Sequence, residues 1–175
     1  MAQSLLLVEE VDARRIEDPE DGRGETLTKL LFPAIKFKTI EHTGGGSTGT
    51  VKYRVPMIDA LEPTFGVKGL DRGSIAGIGL VPGVTGGWIF AAAVRDVANN
   101  KIVPVRAIIK GTVTEYTPGE HSPGESLDCD HAIHEVTDYE LIVNGEQWVK
   151  FSVRPRTLIM RGVDIWGPYL EALGG

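Results

Sequence analysis

Apolar residues recur at every second position through the middle of the chain. Val105, Ala107, Ile109 and Val113 alternate with Arg106, Lys110, Thr112 and Thr114, and Thr137, Tyr139, Leu141 and Val143 alternate with Asp138 and Glu140. A period of two belongs to strands that bury one face. Val103–Phe151 therefore reads as a strand, a polar loop over Thr117–Asp130, a second strand, an Asn144-Gly145 turn and a third strand. The rest of the chain is organised around this stretch. A core shared by the first two strands requires their polar faces to coincide. His134, Asp138 and Glu140 are thus expected on the face that carries Arg106, Lys110, Thr112 and Thr114.

The same reasoning assigns register on either side. Trp88–Val94 is compatible with a helix by propensity. Asn99-Asn100, however, suits a two-residue turn, because Asn tolerates positive φ. A strand folded back there sets Val94 opposite Val105, Ala92 opposite Ala107, Phe90 opposite Ile109 and Trp88 opposite Gly111. Pro104 then lies opposite Arg95, where its missing N–H is not needed. Beyond Val143, a two-residue turn would set Asp138 opposite Phe151 and mix the faces. A three-residue loop of Val143, Asn144 and Gly145, with Gly145 left-handed, sets Tyr139 against Val149 and Asp138 against Lys150 and keeps the faces matched.

Upstream, Leu30–His42 and Thr50–Leu61 flank Gly44-Gly45-Gly46-Ser47-Thr48-Gly49 and read as a long hairpin with a flexible tip. Val51, Tyr53, Val55 and Met57 are assigned to one face with Ile35 and Phe37. Lys36, Lys38, Lys52 and Arg54 take the other and form a basic face broad enough to meet a partner. Asp71–Ile78 carries the signals of a short helix, with Asp71 as N-cap and Gly79 near its end. Arg156–Gly162 reads as a last strand and Trp166–Leu173 as a terminal turn or helix. Asp12–Glu25 is charged and aperiodic. It is expected to be an exposed arm or loop, either disordered or ordered against a neighbouring subunit.

Composition narrows the class. The length suits one domain, residues 1–175, with 1–29 as a partly extended N-terminal arm. With 22 Gly and 10 Pro the chain has many turns, which favours a mainly β fold: an antiparallel barrel or sandwich with one short α-helix and long loops. A net charge of -6 argues against a protein that coats nucleic acid. The single Cys129 excludes an intrachain disulfide framework and fits a reducing compartment. No apolar run approaches membrane-spanning length, and Leu5-Leu6-Leu7-Val8 is too short for a signal peptide.

Candidate chemistry adds little. Cys129, His131 and His134 invite a metal, but strand alternation points the two histidines to opposite faces and a second pair of ligands is missing. The glycine-rich tip lacks the Gly-Lys-Ser/Thr ending of a phosphate loop. His42 has no nucleophile or orienting acid beside it. Asp128 and Asp130 belong to a solvated loop. No catalytic, cofactor or metal site is expected. The other class left open is a small β-barrel enzyme or ligand-binding protein with its site at the barrel mouth near His42 and His134.

From about Leu30 onward the order of features resembles the major tail tube protein family of contractile-tailed bacteriophages and phage-tail-like particles. Phe32-Pro33-Ala34-Ile35 enters a strand, the glycine-rich tip and Thr50–Leu61 follow, and Gly69-Leu70-Asp71 precedes a short helix. Next come the strand Val105–Glu115, a Pro/Gly/Glu loop, and the strand ending Tyr139-Glu140-Leu141-Ile142-Val143-Asn144-Gly145-Glu146. Met160-Arg161-Gly162-Val163-Asp164-Ile165 is similar to the family's closing Asn-Gly-Val-Asp pattern, with Arg161 where Asn is common. The acidic N-terminal segment departs from the family. The resemblance implies a homo-hexameric ring in which the subunits close a larger barrel. It implies rings stacked into a hollow tube that grows from a baseplate, follows a tape-measure protein, meets a tail terminator, is wrapped by a contractile sheath and conducts DNA without reading its sequence. It places the protein in the virion, assembled in the host bacterial cytoplasm. The alternative particle is a tailocin, a type VI secretion-like system or another contractile injection system. On this reading Gly44, Gly45, Gly46, Ser47, Thr48 and Gly49 are candidate ring-stacking contacts, and Lys36, Lys38, Lys52 and Arg54 are the candidate partner face. Deleting Gly44–Ser47 should spare the fold and reduce stacking, as seen by circular dichroism and electron microscopy. Unaltered tubes would remove the tip from the axial interface.

Overall fold

Two long strands carry the architecture. The computed structural model describes residues 4–45, 48–73 and 86–174. In chain order these form β1 (Leu6–Arg15), β2 (Leu27–Leu31), β3 (Phe37–His42), β4 (Val51–Ile58), β5 (Thr64–Lys68), β6 (Gly86–Asp96), β7 (Lys101–Pro118), β8 (Asp128–Val143), β9 (Glu146–Ser152), β10 (Thr157–Met160) and β11 (Val163–Asp164), then the helix α1 (Gly167–Ala172). The fold is mainly β and antiparallel. Nine strands form one sheet with the path β1-β6-β7-β8-β9-β10-β11, while β3 and β4 pair as a separate two-stranded sheet. The sheet forks at β8. One edge of β8 follows β7; the other pairs with β5 through Asp128–Ala132 and with β9 through Asp138–Val143. Among the described residues the sheet does not close on itself into a barrel. The short helix expected at Asp71–Ile78 lies largely outside them.

The fork needs bulges, and the sequence supplies a residue that permits one. Register slips between Lys110 and Thr112 and between Val113 and Glu115. Gly111 sits at the first slip. A Cβ there would fall 2.8 Å from Cγ2 of Ile133 and 2.9 Å from the His134 carbonyl oxygen, so only glycine lets the two strands approach. Around the bend Phe65, Phe90, Ile109 and Ile133 are fully buried, with Trp88 and Tyr139 beside them. The polar faces of β7 and β8 coincide as expected: Lys110 pairs with Asp138 and Thr112 with His134.

Both hairpin turns differ in detail from the sequence reading. Trp88–Val94 is a strand, but its partners lie two residues earlier in β7 than a two-residue turn would set. Val94 lies opposite Val103, Ala92 opposite Val105, Phe90 opposite Ala107, Trp88 opposite Ile109 and Gly86 opposite Gly111, and Pro104 meets Ala93. The reason is Asp96. Its carboxylate accepts the Ala98 N–H at 3.0 Å and the Asn99 side-chain amide at 2.6 Å, and Asn100 is left-handed with φ 50°. An aspartate that binds the backbone two residues on builds its own turn, so the connection takes four residues. A shift of two leaves every face unchanged. At Asn144-Gly145 the turn has two residues, with φ 52° and 80°, and Val143 faces Glu146. The faces are rescued by a bulge at Trp148, beyond which Leu141 meets Val149, Tyr139 meets Phe151 and Asp138 meets Ser152. The face-matching requirement held; a bulge met it instead of a three-residue loop.

The N-terminal segment is the larger correction. Leu6–Arg15 is a strand of the main sheet, antiparallel to β6, and Ala13 is fully buried. A register slip between Val8 and Glu10 interrupts the alternation, and charged Asp12, Arg14 and Arg15 surround the inward Val11 and Ala13. Within the supposed arm, Arg23 is 5% exposed. Its guanidinium donates to both Asp71 oxygens and to Asp21 (2.9 Å), and lies 5.1 Å from the Trp88 ring. Its N–H donates to Asp12 at 2.8 Å. Burial pulls the Arg23 pKa down, but Asp71 and Asp21 outweigh it and hold it above the ordinary value.

Candidate assembly surfaces

The hairpin β3–β4 stands apart from the main sheet and leaves Ile40, Val51, Tyr53 and Met57 about half exposed or more. A two-stranded hairpin on its own is marginal in water, so this one gains by being covered. Its tip is tied at the base by the Thr43 and Thr50 hydroxyls, 2.8 Å apart. Of the candidate stacking residues, Gly45, Thr48 and Gly49 are exposed and Gly44 is half-buried; Gly46 and Ser47 lie outside the described residues.

The four basic residues do not share a face. Thr39 pairs with Arg54, Ile40 with Tyr53 and Glu41 with Lys52. This register sets odd positions of β3 opposite even positions of β4, whereas a common face for four even-numbered residues needs even opposite even. Lys52 and Arg54 therefore group with Glu41 and Phe37: Lys52 Nζ is 2.9 Å from Glu41, and the Arg54 guanidinium lies 4.7 Å from the Phe37 ring. Phe37 accordingly leaves the apolar face assigned to it. Lys38 falls on the opposite side, where with Met57, Ile58, Phe151, Leu158 and Trp166 it lines a groove of about 320 Å³. Lys36 precedes the strand, and its carbonyl accepts the Asp59 N–H at 2.8 Å.

The three residues weighed as metal ligands take separate environments. Cys129 is buried and donates to the Tyr116 hydroxyl at 3.6 Å. His134 hydrogen-bonds Thr114 at the surface. His131 is 1% exposed, stacks face to face on Phe65 at 4.6 Å and meets the Tyr116 edge at 5.4 Å. Among the described residues neither of its ring nitrogens has a hydrogen-bond partner. Burial, reinforced by Arg23 and opposed by Asp71, holds its pKa below the ordinary 6.5. The unfolded chain then takes up the proton first. The stability tied to neutral His131 is fully present above that value and is lost as pH falls through the depressed one. Denaturant titrations at about pH 7.5 and about pH 5 should show that His131→Phe loses less stability on acidification than the unaltered chain. An equal loss would remove His131 from the acid response.

A further edge is exposed at β1, where Leu5, Leu6 and Val8 are more than half exposed. Sequence reasoning missed it because this run was read only as a failed signal peptide. It missed Arg23 as well, although a lone cation between glycines in an acidic stretch was the visible signal.

Among the described residues, an unpaired edge on β1 and a hairpin with exposed apolar side chains are surfaces of the kind through which β-subunits can pair. The particular family follows from comparison. Residues 21–174 match the family of phage tail tube protein FII. The chain belongs to that family and is a tail tube structural subunit, a component of a virion or phage-like particle. Two solved structures share the fold. A chain in the anti-feeding prophage baseplate is 10% identical, with a TM-score of 0.51, over 81% of this chain and 95% of that one. A chain in the sheath/tube terminator of an extracellular contractile injection system is 10% identical, with a TM-score of 0.50, over 78% and 97%. A search of curated sequences finds no match.

Proposed function

We propose that the protein forms homo-hexameric rings that stack into a hollow tube, and that it acts without catalysis. The observation that carries this reading is the β3–β4 hairpin, with apolar side chains exposed on strands that pair with no other described strand. Head-to-tail contacts close a ring, and a separate axial contact propagates it. The tube grows from a baseplate along a tape-measure protein, is capped by a terminator, and is surrounded by a contractile sheath. Assembly takes place in the host cytoplasm. A net charge of -6 suits a conduit to which DNA does not adhere. A second reading, a tube of a contractile injection system with another cargo, is favoured by the sources of the two solved structures.

Charge reversal tests the hairpin. Lys52→Glu with Arg54→Glu should leave the fold intact, because the Lys52–Glu41 pair is exposed and such pairs contribute about 0–1 kcal/mol. It should raise the protein concentration needed for assembly about tenfold, the equivalent of ~1.4 kcal/mol per contact. Sedimentation velocity reads this directly. A folded variant that assembles at the original concentration removes Lys52 and Arg54 from the interface.

A further inference from the structure

We propose that the free edge of β1 over Leu5–Glu10 pairs as an added strand with β4 of a neighbouring copy, over Val51–Val55. The inference rests on the tube reading only in requiring a second copy. It concerns a strand that precedes the family match, which begins at residue 21.

Three observations lead to it. First, β1 is the last strand of the main sheet, and among the described residues its only strand partner is β6. Half of its outer edge is already used, since the Arg23 N–H donates to the Ala13 carbonyl at 3.2 Å. Among the described residues no strand lies beside the half before Val11. Leu5, Leu6, Leu7 and Val8 there are all 40% exposed or more. An open apolar edge of this kind pairs with another strand wherever one is offered.

Second, the molecule offers few strands able to receive it. β11 has two residues. β2 is five residues long, with its register slipped between Leu27 and Lys29. β3 carries Glu41, which would face like charges. β4 is eight residues long and, among the described residues, pairs only with β3. Its first five residues keep their N–H groups, and Pro56 then ends any added ladder because it has none.

Third, the two segments are complementary. Leu5–Glu10 reads Leu-Leu-Leu-Val-Glu-Glu and Val51–Val55 reads Val-Lys-Tyr-Arg-Val; within the subunit Glu9 pairs with Arg95 and Lys52 with Glu41, so the complementarity between copies rests on Glu10 and Arg54. Each also presents exposed apolar side chains for the other to cover. Opposite charges across paired strands are stabilising and like charges are not. The contact joins different surfaces of two copies, so it is head-to-tail and can close a ring.

Cysteine cross-linking tests this. The lone Cys129 is fully buried and serves as an internal control. Val8→Cys is combined in turn with Val51→Cys, Lys52→Cys, Tyr53→Cys, Arg54→Cys and Val55→Cys. The full chain is oxidised mildly and viewed by gel and by electron microscopy. Paired strands bring Cα atoms within disulfide reach. At least one combination should give an intermolecular ladder, at least about fivefold stronger than either single variant. Assembled tubes with no ladder from any combination would overturn the pairing and leave the tube reading intact. A ladder from protein that forms no rings or tubes would support the pairing and count against the tube. Neither ladder nor assembly would overturn both. Hydrogen exchange on the unaltered chain gives an answer independent of folding defects. Amides of both segments should exchange more slowly in the assembled state, and unchanged exchange in either one overturns the pairing.

Discussion

Phe65→Ala should destabilise the subunit by about 3–5 kcal/mol, the usual cost of removing a buried phenylalanine. Phe65 is fully buried on β5, against the fork in β8. Its ring lies 4.9 Å from Trp88, 5.8 Å from Phe90 in an edge contact, and 4.6 Å from His131 in a stack. These partners come from β6 and β8, so the cavity would open between β5 and the two strands it packs against. Rigid rings collapse poorly into such a space, which keeps the loss at the upper end. Domains of this class have about 5–15 kcal/mol in total. At roughly 2–4 °C per kcal/mol for a chain of this length, the melting temperature should fall by about 6–20 °C. A drop below about 3 °C would mean that Phe65 does not hold β5 against β6 and β8.

Arg23→Ala should cost a similar amount, about 3–5 kcal/mol, because it takes the charged partner from a partly buried carboxylate. Asp71 loses a guanidinium that contacts both its oxygens, and Trp88 loses the cation above its ring. The loss should depend little on salt, since a pair this buried is poorly screened. A double-mutant cycle separates pairing from packing. If the two residues act as a unit, Arg23→Ala with Asp71→Ala should be little worse than Arg23→Ala alone. Full additivity of the two losses, measured by chemical denaturation, would deny the coupling.

These predictions mark what the sequence made legible. Alternation along Val103–Phe151 was enough to place β7, β8 and β9 and to assign their buried faces. Register was less accessible, because it depends on turn chemistry. The Asp96 side chain lengthened one connection and a bulge at Trp148 corrected another, yet both kept the faces that alternation demanded. β1 was hidden by its bulge and by charges that pair within the fold. The basic hairpin face failed for a simpler reason. Equal parity within each strand says nothing about which parities meet across them; only the register Thr39–Arg54 decides that. The fork in β8 could not be read, since one strand serving two neighbours along a single edge leaves no periodic trace.

The most direct test of the central claim is negative-stain electron microscopy of the purified protein across a concentration series. Six-fold rings are expected at low concentration and hollow tubes as it rises. A uniformly monomeric species at every concentration, with and without a preformed baseplate, would contradict that claim.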